Sequence, residues 1–100
     1  MRIILPIADH LFIAPGRDRV PAGHILWPSA YPAPLNTLAL GQDYRTTAEV
    51  KDQDRLLYRG VALMKRRVDR GEEILVLLLP DHDLGQLTPN ATVELHFDLP

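Results

Sequence analysis

Cysteine is absent from this 100-residue chain, which excludes disulfides, thiolate metal centres and cysteine nucleophiles and predicts a reducing, cytoplasmic setting. The only serine is Ser29, in Trp27-Pro28-Ser29-Ala30-Tyr31. That context lacks the flanking glycines that expose an activated hydroxyl on a sharp elbow, so nucleophilic catalysis has no support. The 6 glycines are scattered singly, and a phosphate-cradling loop of P-loop or dinucleotide type cannot be assembled from them. No apolar stretch approaches the roughly 20 residues of a membrane span. Pro6 and Asp9 break the opening apolar run before it reaches the length of a signal peptide. No motif implies a cofactor.

What remains is enough for one core. A chain of this length is about the modal size of a domain, and 46% apolar residues suits a single β-rich domain spanning 1–100. Charge is distributed unevenly. Residues 45–70 hold eight basic and four acidic side chains, whereas 71–100 hold six acidic and no basic ones. Such asymmetry marks either a polyanion-binding face or strands that pair and neutralise one another, and opposite charges across a ladder are ordinary sheet chemistry. The second reading is the favoured one.

Five of the 9 prolines lie between Pro15 and Pro34, which bars a helix from this third of the chain. Ahead of it, Arg2–Ile7 and His10–Ala14 are β-branched runs on either side of Ala8-Asp9, read as two strands about a tight turn. Pro15-Gly16-Arg17-Asp18 is a turn signal, His24–Trp27 a further short strand, and Pro28–Asn36 an extended surface loop of polyproline character.

Two foldings compete between Tyr44 and Val68. As a helix over about 47–70, Thr46 caps, Glu49 completes a capping box, and Val50, Leu57, Val61, Met64 and Val68 share a face ahead of Gly71. As strands, Tyr44–Lys51 and Leu56–Val68 flank the turn Asp52-Gln53-Asp54, and Asp69-Arg70-Gly71 leads into Glu72–Leu79. Gly60 tips the balance toward strands, since it costs a helix interior about 1 kcal/mol but serves as a bend or bulge in a small barrel. The run Ile74–Leu79, ILVLLL, is apolar on both faces, and Ala91–Leu99 alternates with Val93, Leu95, Phe97 and Leu99 on one side. The expected fold is therefore all-β, a small antiparallel barrel or sandwich of six to seven short strands. The alternative is α+β, with the long helix packed on a sheet. The segment Gly71–Phe97, a strand, a polar loop and a closing strand, resembles the final hairpin of dUTPase-type barrels. No catalytic motif of that family is present, so the resemblance implies neither activity nor site residues.

Three functional features stand out. Arg55, Arg59, Lys65, Arg66, Arg67 and Arg70 form a basic cluster with Tyr58, as in small barrels that bind nucleic acid. On a strand, Arg59, Lys65 and Arg67 share one face and Arg66 points the other way with Tyr58. Trp27 and Tyr31, held in a stiff proline-rich segment, offer contact area to a protein partner at low entropic cost. Asp81, His82, Asp83, His96 and Asp98 are the right residue types for zinc or manganese, though spacing alone shows only pairs. The reading favoured is a non-enzymatic interaction domain that binds another protein and self-associates as a dimer. Its motive is that ILVLLL needs cover on two sides, and a chain this short has little material to supply it. Partner contacts are assigned to Trp27, Tyr31, Arg59, Lys65, Arg66 and Arg67. Nucleic-acid binding is the first alternative and a metal-dependent enzyme the second.

Overall fold

A computed structural model of the chain describes residues 1–16 and 21–96. Six antiparallel strands close into a barrel in the order β1-β2-β5-β4-β3-β6. They are β1 (Arg2–Ile13), β2 (Gly23–Pro28), β3 (Asp43–Asp52), β4 (Arg55–Asp69), β5 (Glu72–Pro80) and β6 (Thr92–His96). Closure gives each strand a hydrogen-bonded neighbour on both sides over part of its length. The core lies inside, built from Leu5, Ile7, Leu26, Ala48, Val50, Ala62, Met64, Leu75, Leu77, Leu79, Val93 and Leu95.

The segment that admitted a helix is a hairpin. Burial runs with period two, through Thr46, Ala48, Val50 and Asp52 on β3 and Ala62, Met64 and Arg66 on β4. Of the helical stripe only Val50 and Met64 are buried, and Val68 is 53% exposed. Gln53 and Asp54 both take positive φ (52° and 63°), as do Arg70 and Gly71 (51° and 82°). That is the geometry of two-residue hairpin turns whose twist matches the flanking strands.

Gly60 is not the bulge the sequence suggested. The extra residue in β4 is Leu57, since Val50 faces Tyr58 while Lys51 faces Leu56. Gly60 instead makes room for Tyr58. A Cβ there would sit 3.0 Å from the Tyr58 hydroxyl oxygen, which donates to the Val61 carbonyl at 2.6 Å.

A second correction concerns Ala8-Asp9. The chain does not turn there. β1 continues through it with a bulge between Ile7 and Asp9, and this extra residue reverses which side chains face inward. Before it, Ile3, Leu5 and Ile7 point to the core. After it, His10 and Phe12 face the buried His24, and Leu11 turns to the outside, where it is 54% exposed. Before the bulge β1 pairs with β6, and from Ile7 onward with β2.

Two long connections stopper the barrel. The expected polyproline loop is no surface excursion: after Pro28 it folds over one end, turns through a short 3₁₀ segment (Leu35–Thr37), and buries Leu35 and Leu38. Residues 81–91 close the other end with Leu84, Leu87 and Ala91. Asp52 at the end of β3 anchors this second stopper, accepting from the Thr88 backbone N–H at 2.8 Å and from the Thr88 hydroxyl.

Candidate interaction surface

Alternation in a strand sends one set of side chains into the barrel and the other to its outside. On β5 both sets are apolar. Leu75, Leu77 and Leu79 are buried, while Ile74, Val76 and Leu78 face out and are half-buried. Register aligns the outward set with its neighbours. Leu78 lies between Ile25 of β2 and Leu63 of β4, and Ile25 is in turn opposite Leu11 of β1. A continuous apolar row, Leu11–Ile25–Leu78–Leu63, thus crosses four strands. Continuing the β2–β5 register one step past Leu26–Leu77 puts Trp27 alongside Val76, so an adjacent row runs Asp9–Trp27–Val76–Lys65, an acid at one end and a base at the other with apolar surface between. Around Ile25, Leu63, Val76 and Leu78 lies a shallow depression of about 250 Å³, with Pro21, Asp43, Lys65 and Arg67 at its rim.

Trp27 and Lys65 therefore lie on one face, with Arg67 exposed beside Ile74. Arg59 does not join them. It lies farther along β4 opposite Glu49, where its Nε donates to the carboxylate at 3.1 Å. Two further members of the cluster meet acids: Lys65 pairs with Asp43 at 3.3 Å, and Arg66 with Glu73 at 2.7 Å.

Arg66 departs most from a surface role. It is 8% exposed, its parity being that of Ala62 and Met64. The guanidinium donates to the Leu38 carbonyl and to Glu73, and lies 6.0 Å from the centre of the Tyr31 ring. Its backbone carbonyl accepts from Gly41 N–H at 2.6 Å. Tyr31 and then Glu73 raise the pKa of this group, against the desolvation that lowers it. Tyr31 and Arg66 are thus a clamp that fastens the first stopper to β4, and Tyr31 and Trp27 line one depression together with Glu73 and Ile74. The inward position of Arg66 was readable from alternation; the clamp was not, because residues 31 and 38 are placed by a loop.

The acidic and histidine candidates separate. Asp81, His82 and Asp83 lie where the second stopper leaves β5, and His96 lies at the other end of the barrel, beside Arg2. Asp98 is outside the described residues. His82 packs edge-on against Tyr58 with ring centres 4.8 Å apart. Asp83 approaches His24 Nδ1 at 3.7 Å.

His24, which the sequence did not single out, is 1% exposed. The Leu84 N–H donates to its Nδ1 at 3.0 Å, so its proton sits on Nε2 and is donated to His10 Nδ1 at 2.8 Å. Burial first, then the neighbouring His10, lower its pKa, with Asp83 opposing and His82 adding slightly. Burial of this pair follows from the β1 bulge, which no local pattern announces.

No helix among the described residues is long and apolar enough to cross a membrane. Comparison with protein families, characterised proteins and solved structures finds no match to this chain, so function rests on the surface just described.

Proposed function

We propose that this protein is a non-enzymatic interaction domain that works by pairing with a second copy of itself through the outer face of β2, β5 and β4. The observation that carries the reading is the apolar row Leu11–Ile25–Leu78–Leu63, flanked by Trp27, Val76 and Ile74. Apolar surface in water costs roughly 25 cal/mol per Å², and an apolar face this continuous calls for cover.

A second copy fits by charge as well as by hydropathy. A two-fold axis along β5 lays each row antiparallel on its counterpart. Apolar centres then meet, and the Asp9 end of one chain comes to the Lys65 and Arg67 end of the other. This is the self-complementarity that an isologous dimer requires. A standard interface takes about 800 Å² per partner, about an eighth of the 6397 Å² surface. The ion pairs of Lys65 and Arg66 speak against the nucleic-acid alternative, because those two charges already face Asp43 and Glu73.

Size-exclusion chromatography with light scattering at tens of micromolar should return twice the chain mass. Leu78→Lys should return the single mass with the circular dichroism of the parent, and Asp9→Lys should weaken pairing. A wild-type monomer at that concentration overturns the reading.

A further inference from the structure

On the side of the barrel away from the apolar face, β3 and β6 bring Glu49 and Glu94 directly opposite one another. Like charges at facing positions destabilise a ladder, and sequences ordinarily avoid them. Here the two carboxylates are also largely withdrawn from water, with side-chain exposures of 19% for Glu49 and 13% for Glu94. His96, two residues after Glu94 on the same face, directs Nε2 toward them. That nitrogen is buried and has no hydrogen-bond partner. It lies 3.6 Å from Glu94 Oε1, beyond hydrogen-bond length.

We propose that Glu49, Glu94 and His96 form a binding site for a divalent transition-metal ion, of the borderline kind that takes one imidazole and two carboxylates, such as zinc or manganese. The donor atoms of all three residues lie within 4.8 Å of one another. Two ligands each about 2.1 Å from a tetrahedral ion stand about 3.4 Å apart, close to the 3.6 Å between His96 Nε2 and Glu94 Oε1. An ion between them gives the two facing carboxylates a shared cation and gives the buried nitrogen a partner. All three ligands sit on paired strands, so the set is held by the ladder without a loop having to order.

Two cations now touch the carboxylates. Arg2 Nε lies 2.8 Å from Glu94 and Arg59 Nε 3.1 Å from Glu49. Their side chains are 67% and 65% exposed, so water screens these pairs on the arginine side. The anions are fixed and their present partners are the mobile members, so a metal displaces the arginines into solvent at little cost. Three protein ligands leave positions for water, which makes the site an open one.

Isothermal titration of the full chain with zinc chloride tests this. One equivalent should bind, and Glu94→Gln and His96→Gln should each weaken binding by about tenfold or more, while His82→Gln and His10→Gln leave it unchanged. In metal-free buffer Glu94→Gln should unfold no earlier than the parent, because the facing charge is gone, which separates a lost ligand from a lost fold. Manganese chloride added to the wild-type protein should broaden the amide resonances of residues 47–49 and 94–96 first. Absence of zinc uptake at tenfold excess, uptake that survives both ligand substitutions, or broadening centred on His10, His24 or His82 overturns the assignment.

Discussion

His24 is a histidine in a place meant for an apolar residue, and its tolerance there depends on staying neutral. The Leu84 N–H needs an unprotonated Nδ1, and His10 Nδ1 receives the only proton the ring carries. Because burial holds the folded pKa below the ordinary 6.5, the unfolded chain takes up the proton first as pH falls. Stability attributable to this residue is therefore present above about pH 6.5 and declines below it, through the lowered folded value. Urea unfolding at pH 7.5 and 5.5 should show wild type losing stability across that interval. His24→Asn, whose amide oxygen can still accept from Leu84, should flatten the loss. An unchanged slope in the variant would assign the pH response to other groups. Removing the ring outright, in His24→Ala, leaves a buried donor unpaired and should cost about 1–3 kcal/mol at neutral pH. Beside it, Gly23 admits no replacement. Its φ is 145°, and a Cβ would stand 2.3 Å from the Leu79 carbonyl oxygen.

Among the elements, the β3–β4 hairpin carries a correctable strain. Gln53 sits at φ 52° and Asp54 at 63°, a left-handed pair for which Asn-Gly is the preferred sequence. A non-glycine residue there pays roughly 1–2 kcal/mol. Replacing Gln53-Asp54 by Asn-Gly should raise stability by about 0.5–1 kcal/mol, read as a higher denaturant midpoint with unchanged slope. A decrease would mean that the turn is not of this type.

The same hairpin shows how far local pattern reaches. Both turns, β5 with its two apolar faces, and the alternation of β6 from Thr92 to His96 are visible in the residues alone, because period two and turn chemistry are local signals. Phe97 and Leu99, expected to extend β6, lie outside the described residues. The 44–68 ambiguity is just as instructive: Val50, Val61, Met64 and Val68 satisfy a helical period by coincidence, and only partner strands decide between the two. Ala8-Asp9 reads from the sequence as a tight turn and not as a bulge, since a bulge is defined by the strand opposite. Register between distant strands is the least legible of all. Glu49 and Glu94 face each other across a pairing that neither segment encodes, and Leu11 joins Leu63 in one row only through three successive ladders.

For the whole molecule, the inside and outside of the barrel answer to different requirements. Inside, Leu26, Leu77, Val93 and Leu95 are fully sequestered and the chain supplies its own cover. Outside, β2, β5 and β4 present apolar side chains that no other element among the described residues hides. If a second copy hides them, folding and association are linked, and the thermal midpoint should rise with protein concentration. Scans between about 2 and 200 μM should show that rise in wild type and none in Leu78→Lys. A concentration-independent midpoint in both would detach stability from pairing.

Among the described residues β6 runs from Thr92 to His96, wedged between β1 and β3, and it completes the ring. While the polypeptide is being made, both of those strands must wait with bare flanks until residues 92–96 leave the ribosome. Unpaired flanks of this kind recruit foreign strands. A chaperone that shields β1 and β3 until that closing run arrives would guard the interval in which the barrel still stands open.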